Sequence, residues 1–200
     1  MKRILVLASG RGSNFQALLE ASLRGGLRAE IVALGVSRLD AGARGIAEKY
    51  GIPTLVKPSE SEILEFVRRE KLDAIVLAGY MKILGPELIE GMRDEKGLSR
   101  ILNIHPSLLP AFPGLDPYSQ AFRAGVRETG VTVHLVEREV DAGPILDQRA
   151  FRIDHLRTPA EIEARGLALE HELFPRTIDW FVQGEYKIES REGRTYVAHA

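Results

Sequence analysis

The chain has 200 residues, 44% hydrophobic and 28% charged, with a formal net charge of −1. This suits one globular domain and offers no global field to draw nucleic acid or an anionic membrane. It has no cysteine, which excludes disulfides, thiolate zinc sites and cysteine nucleophiles and fits a reducing compartment. The apolar run in MKRILVLASG is too short for a signal peptide, and none is long enough to cross a bilayer. A cytoplasmic protein is expected.

In chain order, apolar runs of strand length alternate with helical patterns. Arg3–Ala8 reads as a strand and Phe15–Leu23 as a helix; Glu30–Ser37 as a strand and Ala41–Tyr50 as a helix. A short strand at Thr54–Lys57 precedes a helix over Glu60–Glu70, with Ser59 as its cap. LDAIVLAG, Leu72–Gly79, is almost wholly apolar, as a parallel strand buried on both faces must be. A helix near Pro86–Met92 leads to a strand at Arg100–His105. This repetition implies right-handed crossovers and an α/β, doubly wound, mostly parallel Rossmann-like sheet.

After Pro106 the texture changes. Prolines at 106, 110, 113 and 117 predict a stiff irregular loop that must bury Leu108, Leu109 and Phe112. Gly130–Glu137 alternates as a strand should, and PILDQRAFRI (144–153) is its hairpin partner, so the C-terminal part is antiparallel. Thr158-Pro159-Ala160-Glu161 reads as a capping box with proline at the first helical position, opening a long helix to about Val182. Tyr186–Ala200 reads as a short hairpin around REGR. No repeat or domain boundary interrupts residues 1–200.

In open parallel sheets, ligands bind beyond the carboxyl ends of the strands, where the strand order reverses. Three unusual segments lie there: SGRGSN after the first strand, GYMKIL after Leu72–Ala78, and NIHPSLLP at the end of the strand from Arg100. Gly10 and Gly12 permit positive φ and close approach, and Ser13 or Asn14 can cap the next helix. The loop is either a well-capped turn or an anion site at a helix N-terminus. A dinucleotide site fits less well, because G-x-G-x-x-F lacks the third small residue. Asn103 and His105, two apart on a strand, share a face, and Pro106 ends the ladder there. An amide and an imidazole converge on one strand tip. Asp141, in EVDAGP, reads by itself as an Asx turn. Glu170 lies on a small and apolar helix face with Gly166, Leu167, Leu173 and Phe174, where a carboxylate reaching a ligand is the favoured reading.

GRGSN, AGYMKIL, NIHPSLLPAFPG, TGVTVHLVEREVDAGPI and LEHELFP, in that order, resemble the folate-dependent phosphoribosylglycinamide formyltransferase family. The likeness runs to about Gly184. NIHPSLLP is shared by the wider group of folate-dependent formyltransferases and hydrolases; GRGSN is more specific to this branch. The resemblance implies the formyltransferase fold and transfer of a formyl group from 10-formyltetrahydrofolate to the amine of glycinamide ribonucleotide, in de novo purine synthesis, with no metal. It implies that Gly12, Ser13, Asn14, Leu167, Ala168, Leu169 and Glu170 contact the ribonucleotide. Met81, Lys82, Ile83, Leu84, Asn103, Glu137, Arg138, Glu139, Val140 and Asp141 would line the folate pocket, and Asn103, His105 and Asp141 would be catalytic. The division implied is 1–100 for the ribonucleotide, 101–184 for catalysis and folate, and 185–200 as a tail.

Two departures stand out: Asp116 occupies a position where many relatives carry histidine, and Lys82 one where arginine is common. His134 reads as structural or supporting. The rival readings are a formyltetrahydrofolate hydrolase, expected to have an N-terminal regulatory domain, another folate-dependent formyltransferase such as the transfer-RNA enzyme with its C-terminal barrel, or a non-catalytic nucleotide-binding domain. The expected partners are the two small-molecule substrates, without nucleic acid or membrane; a homodimer is left open.

Overall fold

A computed structural model describes residues 1–200. β1 (Lys2–Ala8) sets the layering, because its apolar side chains alternate between two cores. Ile4, Val6 and Ala8 join a cluster with Phe15 and Leu18 of α1 (Ser13–Leu23), whereas Leu5 and Leu7 join Ile63 and Phe66 on the opposite face. A strand with no polar face belongs between helical layers.

β2 (Ala29–Val36), α2 (Ala43–Lys49), β3 (Thr54–Val56), α3 (Glu60–Glu70), β4 (Ala74–Leu77), α4 (Pro86–Gly91) and β5 (Ile101–His105) continue the alternation. Then come α5 (Pro117–Ala124), β6 (Glu128–Leu135), β7 (Ile145–Arg152), α6 (Pro159–Gln183) and the hairpin β8 (Tyr186–Arg191) with β9 (Arg194–His199). The seven-stranded sheet has the order β3-β2-β1-β4-β5-β6-β7. β1 to β5 are parallel; β6 and β7 add antiparallel ladders. The expected doubly wound sheet with an antiparallel C-terminal part is therefore present. Its order reverses between β1 and β4, so the loops after Ala8 and Leu77 lie side by side; Ser9 N–H donates to Gly79 O at 3.1 Å.

Three local expectations are corrected. α5 was not expected: Pro117 takes its first turn and Asp116, left-handed at φ 55°, its N-cap, a place where proline is tolerated because that N–H is unpaired anyway. In α1 the N-cap is Gly12, at φ 88°, not Ser13 or Asn14, and Gly10 has no positive φ. At α6 Thr158 accepts from Glu161 N–H, but Glu161 answers to Arg157 N–H, so the box is shifted by one residue. Of the loop side chains, Leu109 is buried, while Leu108 and Phe112 are half-buried.

Candidate active site

β5 and β6 place the central groups. Their antiparallel register sets Asn103 opposite His134, so the two side chains are neighbours on one face. A register irregularity in β6 falls at Val133/His134; bulges of this kind re-aim side chains near sites. His134 Nδ1 lies 3.0 Å from the Leu135 carbonyl. A carbonyl only accepts, so Nδ1 carries the proton and Nε2 keeps its lone pair. The Asn103 amide Nδ2, 3.0 Å away, donates to that lone pair. This fixes which end of the amide is nitrogen and leaves its second N–H for a ligand.

Burial pushes the His134 pKa below its ordinary value of 6.5, which keeps the ring neutral and able to accept. The unfolded chain then binds a proton before the folded chain does, so this residue's contribution to stability is lost as pH falls below about 6.5. His134→Phe fills the space but removes the acceptor. We expect kcat to fall on the order of 10-fold, the worth of one oriented hydrogen bond, with both KM values nearly unchanged. Steady-state kinetics checks this, and an acid denaturation series should show a shallower loss of stability in the variant.

One nitrogen of His105 is fixed by a hydrogen bond. Nε2 lies 2.9 Å from the Phe112 carbonyl and so donates to it. Nδ1 faces Asp141 Oδ2 at 3.4 Å, which makes Nδ1 the nitrogen available for proton exchange. Asp141 is left-handed at φ 56°, a conformation aspartate tolerates better than most residues. Its Oδ2 also accepts from Gly114 N–H at 2.8 Å, and its Oδ1 lies 3.6 Å from His134 Nε2. The loop that carries Asp141 folds back on β6 at Gly143, where a Cβ would stand 1.8 Å from the Leu135 carbonyl oxygen. Only glycine allows that approach. Asn103 and His105, two residues apart on β5, and Asp141, 36 residues beyond His105, thus surround one point.

They line a cavity of about 320 Å³ with Met81, Lys82, Ile83, Leu84, Glu137, Arg138 and Val140. Glu139 is the one expected pocket residue that does not line it. Met81 and Ile83 are 65% and 79% exposed, a pair of apolar side chains at the edge of this cavity. Arg93, which the sequence did not single out, clamps Glu137 through both guanidinium nitrogens at 3.0 and 2.6 Å. Arg138 pairs with Glu90 at 3.2 Å. The carboxylate of Glu137 is thereby committed to the wall, not free for the cavity. No group of three or more His, Asp or Glu side chains is placed to hold a metal ion.

Gly12, Ser13 and Asn14 lie at the start of α1, beyond β1. A Cβ at Gly12 would come 2.7 Å from the Ala43 Cα, so this glycine serves the packing of α2 as well as any ligand. With no side-chain cap, the first-turn N–H groups of α1 lack the acceptor that an N-cap normally supplies. Asn14 turns inward and donates to Glu170 Oε2 at 2.6 Å. On α6, Leu167 and Leu169 are half-buried and Ala168 is exposed. The structure therefore joins two of the seven expected ribonucleotide residues, Asn14 and Glu170, across the α1–α6 contact; none of the seven lines the cavity around His105.

The sequence profile of the formyl transferase family matches residues 2–178. Phosphoribosylglycinamide formyltransferase of Bacillus subtilis is 40% identical over 187 residues, covering 89% of this chain and 93% of its own length. The chain belongs to the phosphoribosylglycinamide formyltransferase family. Its Escherichia coli relative of the same name is 34% identical, covering 92% of this chain and 89% of its own. Among solved structures, glycinamide ribonucleotide transformylase 1 from Symbiobacterium toebii superposes with a TM-score of 0.89 at 36% identity, over 100% of this chain and 94% of that one. A formyltetrahydrofolate deformylase from Pseudomonas syringae has a TM-score of 0.84 at 28% identity, but this chain spans only 66% of it. The three transformylases named above are matched over 89–94% of their own length.

Proposed function

We propose that this protein transfers the formyl group of 10-formyltetrahydrofolate to the amine of glycinamide ribonucleotide. What supports this most is the convergence of Asn103, His105 and Asp141 on a half-apolar cavity beside the switch point. The folate ring would enter between Met81–Leu84 and the segment Glu137–Asp141. Gly12, Ser13 and Asn14, with Leu167–Glu170, would hold the ribonucleotide. Residues 1–100 would thus serve mainly the ribonucleotide, 101–184 the folate and the chemistry, with 185–200 a tail.

In the reaction the neutral amine attacks the formyl carbon, and the C=O electron pair moves onto oxygen. Asn103, through the N–H not given to His134, and a protonated His105 stabilise that oxyanion. Asp141 takes the proton shed by the attacking nitrogen, directly or through a water. The oxyanion pair then re-forms C=O, the C–N bond to the folate breaks, and the proton held by Asp141 passes to the folate nitrogen, directly or through a water. The products are the formylated amine and tetrahydrofolate.

No helix is long and apolar enough to cross a membrane, and we place the enzyme in the cytoplasm, acting on small molecules and not on nucleic acid; a homodimer would be read from its mass in solution. The ribonucleotide subsite is tested at Ser13. Gly12→Val would confuse the result, because its side chain collides with α2. Ser13→Ala removes one hydroxyl from the half-buried start of α1. The ribonucleotide Kd should rise about 10-fold by isothermal titration, as for a lost hydrogen bond to a charged group, while the folate Kd stays put. Equal changes for both ligands would make the loop a structural turn.

A further inference from the structure

Glu170 is a carboxylate without a cation. It is 5% exposed on α6, and neutral donors occupy both of its oxygens. Asn14 Nδ2 donates to Oε2 at 2.6 Å and the Tyr118 hydroxyl to Oε1 at 2.9 Å. A buried charge held this way is stable only while every donor stays in place. The hydroxyl is accommodated because residue 166, one turn before Glu170, is glycine: a Cβ there would lie 1.8 Å from the Tyr118 oxygen. Tyr118 is itself buried at 7% exposure. Burial, followed by the charge of Glu170, pushes its pKa up, so the phenol remains a donor.

The three residues come from α1, α5 and α6, and nothing else in the catalytic reading uses Tyr118. Because a carboxylate only accepts, Glu170 dictates that Asn14 turns its nitrogen inward and its oxygen away. That Asn14 Oδ1 is buried and unpartnered. Without the tyrosine hydroxyl, Glu170 would keep only the Asn14 donor and be free to rotate away from it, and Asn14 would lose its anchor.

We propose that Tyr118 is a positioning residue for the ribonucleotide subsite: it holds Glu170, which in turn orients Asn14 and the first turn of α1. This rests on the reading that Gly12, Ser13 and Asn14 bind the ribonucleotide. Tyr118 sits in α5, directly after the loop that carries Phe112 and Gly114 to His105 and Asp141. The same helix therefore ties the ribonucleotide subsite to the catalytic loop.

Tyr118→Phe keeps the ring and deletes one donor. The ribonucleotide KM should rise about 10-fold, the usual worth of a hydrogen bond to a charged group, with kcat and the folate KM within about twofold of wild type. A ribonucleotide KM that does not move, or one that moves in step with the folate KM while Tm falls, makes Tyr118 a packing residue and overturns the proposal. Should the phenylalanine variant not fold, Gly166→Ala pushes the hydroxyl off Glu170 and should give the same selective rise; an unmoved ribonucleotide KM in that folded variant overturns the proposal equally. Ser13→Ala, run alongside, separates the two levels. If it raises the ribonucleotide KM and Tyr118→Phe does not, only the positioning role fails. If Ser13→Ala has no effect on it, the subsite is elsewhere and the positioning role falls with it.

Discussion

Asn103→Ala and His105→Ala are each expected to lower kcat by about 10²–10³, with little change in either KM. That is the typical cost of losing one preorganised donor to an oxyanion, and it appears in kcat because the donor meets full negative charge only in the transition state. The structure shows why both donors are preorganised. The Asn103 amide is pinned by His134, and the His105 ring is pinned through Nε2 to Phe112. Neither must reorient when the charge develops. The two variants should also differ. Without Asn103, the lone pair of His134 Nε2 is left facing Asp141 at 3.6 Å, so protonation of His134 becomes easier and the pH profile of the Asn103 variant should change shape. Either variant retaining near-normal turnover removes that side chain from the chemistry.

Asp141→Asn is expected to lower kcat by about 10² or more at every pH, as loss of a proton acceptor does. The substitution is discriminating because it preserves what a turn residue would need. Asparagine accepts the left-handed backbone of position 141, and its amide oxygen can still accept from Gly114 N–H. What disappears is the charge beside His105 and the capacity to take a proton. If Asp141 only shaped the loop, the asparagine variant would turn over like wild type. The substitution also takes away the carboxylate that His105 Nδ1 faces at 3.4 Å.

The layered sheet was legible because its strands carry their burial in their composition. Ala74–Leu77 is buried at every position, and a run so uniformly apolar suits only a central parallel strand. α5 was concealed by the same prolines that suggested a rigid loop, since a proline at the first helical turn looks in sequence like one in a turn. Asn103 and His105 were legible as a pair through the two-residue period of a strand. Asp141 was not; its composition argues for a turn, and only the resemblance assigned it to the site. The partnerships were the least legible part. Asn103 with His134 depends on the β5–β6 register, and Asn14 with Glu170 joins residues separated by 156 positions. Arg93 with Glu137 is another contact made by folding alone. Glu170 illustrates the limit well. Its apolar helix face marked it as unusual, and a ligand was the favoured explanation, yet the structure first supplies two protein donors.

The most direct test supplies purified protein with 10-formyltetrahydrofolate and glycinamide ribonucleotide together, and follows the products by mass spectrometry. One formylated ribonucleotide should form for each tetrahydrofolate released, with no folate turnover when the ribonucleotide is left out. Formate released at an equal rate without ribonucleotide would instead identify a hydrolase, and binding of both ligands without any product would contradict a catalytic role for Asn103, His105 and Asp141.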